Sequence, residues 1–360
     1  MSFFQVQFLP MNKSFTRREF LKLGGLALAG MAFTPFYPEI TEFEDIDMGR
    51  VATKQVSVYQ EPSASSPIVA TWYQDDLVHI YGQADTHTLV SPYINPRWYR
   101  VWGGYMNQAR VQTVKFQYND PLTSVPETGL IGEVTVPYAQ AYIYDKWNGW
   151  QTTYRLYYTS VHWFTGVEAG PDGQPWYRIL DEADRSIYYI PAVQMRPIPP
   201  EEITPISPEV PFENKLIDVN LTTQTLTCSE YDRVVFQTAI SSGWAGLSAN
   251  ESTTTPTGHY NIEVKMPSKH MGNANLAASL DDYVLPGVPW DSFFTDKGHA
   301  FHGTYWHDNF GATMSHGCIN MRTEEAKWLF RWNLPPASFD DISKQTHSKI
   351  GFGTQVDIHY

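Results

Sequence analysis

The sequence predicts a mainly β protein: two small barrels, then a third β domain with one short helix. Three observations lead there. Short alternating runs of β-branched and aromatic residues, bounded by Gly, Pro and Ser, recur along most of the chain. One block repeats, with Trp98-Tyr99-Arg100-Val101 echoed by Trp176-Tyr177-Arg178-Ile179-Leu180. A single stretch, Thr323 to Arg331, reads as a helix, with Thr323 as N-cap, acids in its first turn and Pro335-Pro336 beyond its end. The 360 residues suggest two or three domains. Aromatics make up 15%, enough for a substantial core and for rings that contact sugars or peptides. The formal charge of −13 argues against nucleic acid or an anionic membrane surface as partner.

The N-terminus carries an address. Thr16-Arg17-Arg18-Glu19-Phe20-Leu21-Lys22 fits the twin-arginine export pattern, and an apolar run follows from Leu23 to Phe36. That run is shorter than the roughly twenty residues a transmembrane helix needs. No stable membrane span is expected after processing, and no cysteine near the run offers a lipid anchor. Residues 1–45 are therefore read as export signal and leader.

Residues 46–118 form the first expected barrel. Its strands are Val56 to Tyr59, Leu77 to Gly82 and Trp98 to Val101, and Tyr105 to Gln112 closes it. Residues 125–197 form the second, opening at Glu133-Val134-Thr135-Val136 and closing at Tyr189 to Gln194. The proline-rich, acidic stretch 198–211 reads as a stiff linker.

The third domain spans 212–360. Lys215 to Val219, Thr225 to Cys228 and Val234 to Gln237 read as a meander that reaches Ser241-Ser242-Gly243. Tyr260 to Val264 and Thr354 to Ile358 are further strands. Cys228 has no histidine or glycine-rich turn beside it and reads as a structural thiol. Met266 to Lys297 reads as a long irregular connection. Its rings Tyr283, Trp290, Phe293 and Phe294 suit a lid or substrate wall, with one or two of them equally suited to ordinary core.

Chemistry concentrates in Phe301 to Asn320, FHGTYWHDNFGATMSHGCIN. Cys318 lies between Gly317 and Ile319, two places after His316. His302 precedes it by sixteen residues, within reach only through two strands joined by a loop. A thiol with a nearby imidazole suggests a nucleophile and its base. N–H groups around Gly317 and Cys318 can converge on one oxygen, as an oxyanion hole requires. A zinc site remains an alternative for the histidines, but only one thiol is at hand, and neither C-x-x-C nor H-E-x-x-H occurs. No metal and no cofactor are expected. The two cysteines lie in separate motifs and imply no disulfide framework.

The run Ser315-His316-Gly317-Cys318-Ile319-Asn320, with Phe301-His302-Gly303-Thr304 upstream and Thr255-Pro256-Thr257-Gly258 further back, resembles the L,D-transpeptidase (YkuD) catalytic domain. The likeness covers roughly 212–360. It implies a β-sandwich and acyl transfer from a peptidoglycan stem tetrapeptide through a thioester on Cys318. It further implies His302 as base, oriented by the carbonyl of Gly303, and oxyanion donors from His316, Gly317 and Cys318. Asn320 would position the substrate or the loop, and Trp306 matches an aromatic substrate-contact position of some members; Ser315 and, from the aromatic connection, Tyr283 are the other substrate-side candidates. His307 receives no catalytic role and is expected to make a hydrogen bond behind the reacting groups. On this basis His302 and Cys318 are expected to titrate as a coupled pair, with the thiol ionising more readily than a free one.

The two repeated units resemble bacterial SH3-like (SH3b) modules, as wall binders or as a scaffold for the active-site mouth. Donor and acceptor would both be stem peptides, forming wall cross-links that maintain cell shape. The same site also suits L,D-carboxypeptidase action or attachment of protein to the wall. A wall-binding protein without catalysis and a zinc hydrolase of the wall are the rivals from other classes. The implied location is the cell envelope or the exterior, in contact with the wall. The sequence says nothing of oligomeric state.

One outcome follows from the address alone. Replacing Arg17 and Arg18 by Lys is expected to leave precursor in the cytoplasm on cell fractionation. Normal export of that variant would point to another route.

Overall fold

The computed structural model describes residues 40–86, 94–245, 253–272, 284–337, 346–348 and 352–360. The twin-arginine stretch and Tyr283 lie outside these residues. Glu39–Tyr360 form one compact unit.

The first sheet is built from β1 (Ile40–Val51), β2 (Gln55–Tyr59), β3 (Ile68–Tyr73), β4 (Leu77–Asp85), β5 (Arg97–Val101), β6 (Gly104–Asn107) and β7 (Val111–Val114). The second uses β8 (Leu130–Val134), β9 (Tyr138–Asp145), β10 (Gly149–Tyr157), β11 (Val161–Ala169), β12 (Pro175–Leu180), β13 (Ile187–Pro191) and β14 (Met195–Pro197). The strand orders are β3-β2-β6-β5-β4-β1-β7 and β10-β9-β13-β12-β11-β8-β14, the same order twice. A short 3-10 turn precedes the last strand of each. The echoed Trp-Tyr-Arg blocks fall on β5 and β12, the fourth strand in both orders.

Each sheet encloses one apolar cluster, Val58 to Val111 in the first and Val134 to Met195 in the second. Neither closes into a barrel, because no pairing joins the two end strands. Among the described residues, each of the expected small barrels is thus an open seven-stranded sheet around its own core. The sequence reading places no strand at β1, β3, β9, β10, β11 or β14. β3 is almost wholly exposed, so it lacks the half-buried alternation that marks a strand. β1 starts at Ile40, inside the stretch assigned to the leader.

The third region holds β15 (Lys215–Asn220), β16 (Thr225–Glu230), β17 (Arg233–Ala239), β18 (Gly258–Asn261), β19 (Val264–Gly272), β20 (Val284–Phe293), β21 (Ala300–Gly303), β22 (Ile319–Met321), α1 (Thr323–Trp332), β23 (Thr346–His347) and β24 (Gln355–His359). They form two five-stranded sheets, β17-β16-β15-β24-β18 and β22-β21-β20-β19-β23. Ile217, Val219, Leu226 and Cys228 of one sheet share a core with Trp290, Phe301, Ile319 and Met321 of the other, as a sandwich requires. Cys228 is fully buried, and burial pushes its thiol pKa well up, so it is the inert structural thiol the sequence indicated.

Met266 to Lys297 is mostly not irregular. β19 and β20 form a long antiparallel pair across it. Pro267, Pro286 and Pro289 disguise the strands. The ladder accommodates them by a register shift between Lys269 and Met271, and Gly287 and Trp290 adopt positive φ. Trp290 and Phe294 are buried core rings rather than a substrate wall.

Helix α1 starts differently from the reading. Arg322 is the N-cap, with no side-chain capping bond. Thr323 sits inside the first turn, its hydroxyl 3.0 Å from that of Thr159 in the second module. At the other end two buried lysines satisfy carbonyls the helix leaves open. Lys215 Nζ donates to Trp332 O at 2.7 Å, and Lys265 Nζ donates to Asn333 O at 2.9 Å. Burial lowers the pKa of both amines.

The second sheet is fused to the sandwich. Ile131, Val161, Trp163 and Ile198 belong to the sandwich core cluster. His270 Nδ1 lies 2.8 Å from Asp181 Oδ2, both side chains buried. The linker packs along the helix, with Ile206 N donating to Arg331 O and Lys327 paired with Glu202. Trp163→Ala should therefore cost about 3–5 kcal/mol. Urea unfolding read by thiol labelling of Cys228, in the other region, should shift by the same amount. Unchanged labelling of Cys228 would show that the two regions unfold separately.

Candidate active site

The strands β21 and β22 pair in parallel, with Phe301 opposite Ile319 and His302 opposite Asn320. This brings the upstream histidine alongside the strand that begins one residue after Cys318. The 304–318 segment makes the crossover. It is tied on one side by an isolated bridge from Gly243 to Ser315, and just past its end Ser241 bridges Asn320 on β22.

His302 is buried, and its Nδ1 lies 3.0 Å from Gly303 O. A carbonyl only accepts, so Nδ1 carries the proton and Nε2 keeps a free lone pair. Burial pushes the His302 pKa down to about 4, against the pull of the Gly303 carbonyl. The ring is neutral at pH 7. Trp306 lies against it, ring centroids 5.7 Å apart.

Cys318 is half-buried, and its Sγ–H donates to Gly298 O at 3.7 Å. Burial pushes the thiol pKa up to about 11. The Ala300 N–H opposes this shift and Asp291 adds to it. No hydrogen bond joins Sγ to His302 among the described residues. The resting pair is thus thiol and imidazole, not thiolate and imidazolium. This reverses the expectation of an easily ionised thiol. Both groups are withdrawn from water, and charge is costly there.

The turn before Cys318 is locked from within. Ser315 Oγ donates to Cys318 O and accepts from Gly317 N at 3.1 Å. The Ser315 hydroxyl and the Gly317 N–H are both spent on the turn itself. Thr255 adds an outside brace. Its Oγ1 donates to Gly317 O at 2.9 Å and accepts from Gly243 N at 2.8 Å. The sequence singled out the Thr255 turn but gave that residue no role. Gly317 has φ +119°, and a Cβ there would stand 2.9 Å from the His299 ring, so only glycine fits.

His316 is exposed, with its pKa lowered by desolvation. Asn320 is 1% exposed, so it stands behind the open surface. Its amide meets His307 Nε2 at 2.8 Å. The histidines of the stretch spend ring nitrogens on separate partners: His299 on Thr295, His302 on Gly303, and His307 on Asn309 and Asn320.

Known proteins offer the following likenesses. Residues 214–358 match the family model YkuD, L,D-transpeptidase catalytic domain. Among solved structures, the chain is similar to an L,D-transpeptidase (residues 123–326) from Xylanimonas cellulosilytica, at 22% identity and TM-score 0.29 over 41% of this chain and 60% of that one. An L,D-transpeptidase from Stackebrandtia nassauensis gives 23%, 0.27, 41% and 56%, respectively. One from Mycobacterium smegmatis gives 15% and 0.31, over 70% of this chain and 92% of that one. The chain thus spans less than two thirds of the first two structures. No curated protein matched the sequence. Residues 214–358, which hold both five-stranded sheets, His302 and Cys318, are thus the part of the chain that matches the L,D-transpeptidase catalytic domain model.

The thiol's resting state gives a direct measurement. A free cysteine has a pKa of about 8.5. Iodoacetamide labelling of Cys318, read by peptide mass across pH, should show a midpoint above that value and slow labelling at pH 7. A midpoint at or below about 8.5 would show that burial does not suppress ionisation of the thiol, and one below about 7 that the thiolate is the resting form.

Proposed function

We propose that the protein is a cysteine-dependent L,D-transpeptidase that acts on peptidoglycan stem peptides through a thioester and forms cross-links in the cell wall. The observation that carries this reading is the His302 tautomer. With Nδ1–H fixed on Gly303 O, the free Nε2 lone pair sits on the strand beside Cys318.

Sγ–H leaves Gly298 O and gives its proton to His302 Nε2 as Sγ attacks the donor carbonyl. The carbonyl π electrons move to oxygen, and the Cys318 N–H faces the developing charge, since Gly317 N is engaged. The oxyanion collapses and the C–N bond to the terminal D-amino acid breaks. His302 returns the proton to the leaving amine, and the thioester remains. An acceptor amine then attacks the thioester and loses a proton to His302, and Sγ leaves and is reprotonated. Starting from two neutral groups keeps the site uncharged until a donor arrives.

Water or a protein amine as acceptor would give carboxypeptidase action or protein attachment by the same steps. The second sheet exposes Trp147 and Tyr144, 81% and 57% accessible, rings suited to stacking on sugars. This favours a wall-binding role for that SH3b-like module. The twin-arginine pattern supports export to the envelope. Among the described residues no helix is long and apolar enough to cross a membrane.

Intact-mass analysis with a tetrapeptide stem tests the reading. The expected adduct equals the donor minus its terminal amino acid and maps to Cys318. Cys318→Ala should abolish it and Cys228→Ala should retain it. Equal loss in both variants, with both folded, would sink the assignment.

A further inference from the structure

The first sheet grips the crossover between His302 and Cys318 at several points. Arg50, itself buried, donates from Nη2 to Tyr305 O at 2.8 Å. Asn95 N donates to Asn309 Oδ1 at 3.0 Å, and Asn95 Nδ2 to Asp308 O at 3.1 Å. Tyr99 OH donates to Asp308 Oδ2 at 2.8 Å. Asp308 N returns a bond to Ala109 O at 3.2 Å. From the sandwich side, Ser241 Oγ donates to Asn309 O at 2.8 Å. Asn309 is completely buried between the two.

These grips end on His307. Asn309 N donates to His307 Nδ1 at 3.1 Å. A backbone N–H only donates, so Nδ1 is the acceptor and the neutral ring carries its proton on Nε2. That N–H points at the Asn320 side-chain amide, 2.8 Å away. Only the amide oxygen can receive it. The nitrogen and oxygen of an amide exchange places by a half-turn. The half-turn also gives a partner to the Asn320 oxygen, which otherwise is buried with none. Asn320 is the ladder partner of His302, so the chain of bonds reaches the proposed base. His307 and His302 also lie close enough for charge on one to oppose charge on the other.

We propose that the first sheet is a working part of the catalytic centre. Through Asn95, Tyr99 and Arg50 it fixes residues 305–309. Asn309 then holds His307 as the neutral Nε2–H tautomer, which locks Asn320 beside His302. Asn95, Asn309, His307 and Asn320 are positioning residues in this scheme. A neutral His307 leaves His302 free to become positive when it takes the thiol proton. The kinetic arm of the test rests on the reading of Cys318 as nucleophile, whereas the tautomer arm does not.

The full chain labelled with [15N]histidine provides the readout. His307 should show a protonated Nε2 and bare Nδ1, and His302 the opposite pattern. Asn95→Ala and the gentler Tyr99→Phe should move the His307 signals. Both should also lower kcat, by about tenfold for Asn95→Ala, with KM little changed. Trp102→Ala, on an exposed ring of the same sheet, should alter neither. A protonated Nδ1 on His307 would overturn the proposal. So would folded Asn95→Ala and Tyr99→Phe proteins with wild-type His307 signals and kcat. Activity surviving in Cys318→Ala would remove the proposed nucleophile and leave the tautomer result standing.

Discussion

The short parallel pairing of β21 with β22 is the constraint on which the site depends. Three residue pairs, Phe301–Ile319, His302–Asn320 and Gly303–Met321, hold together segments that are far apart in sequence. Parallel strands cannot be joined by a tight hairpin. The chain must therefore cross over between them, and residues 304–318 do so without a regular helix. Such a connection needs bonds from outside itself. Ser241 and Gly243 supply bridges from the sandwich, Thr255 braces the Gly317 turn, and the first sheet holds Tyr305, Asp308 and Asn309.

The electrostatics follow from the same enclosure. Packing around the crossover buries His302 and His307 and withdraws much of Cys318 from water. Each is thereby pushed toward its neutral form, with His302 at about 4 and Cys318 at about 11. The signs matter for stability. A histidine with a lowered folded pKa binds fewer protons folded than unfolded, so stability falls as pH drops below about 6.5. A thiol with a raised folded pKa loses its contribution as pH rises past about 8.5. The native site is favoured between those limits, where both groups are uncharged.

The fusion of the repeated sheets to the sandwich changes how they are understood. As independent modules they would be spacers or wall binders. The second shares a hydrophobic core with the catalytic region through Val161 and Trp163. The first donates its buried Arg50 and Asn95 to the crossover. Trp147 and Tyr144 stay exposed on the second sheet, away from its shared core.

Much of this was legible in the chain itself. The spacing of His302 and Cys318, the Gly317 turn and the repeat of the Trp-Tyr-Arg block are local patterns. Local chemistry fixes them: glycine alone tolerates the φ of +119° at 317, and the apolar–polar alternation of Gln55–Tyr59 marks strand β2. The strands β19 and β20 stayed hidden because their prolines and glycines imitate loop composition. Only the neighbouring strand shows that the ladder absorbs them. Thr323 resembled a cap until Thr159 was found across the interface. The charge state of the thiol lies beyond the sequence for the same reason. Sequence shows which groups are present, but burial and the Gly298 carbonyl set their charge. The part played by Asn95 in holding Asn309 lies at a separation of 214 residues. No local pattern encodes such a contact, because the packing of separate sheets creates it.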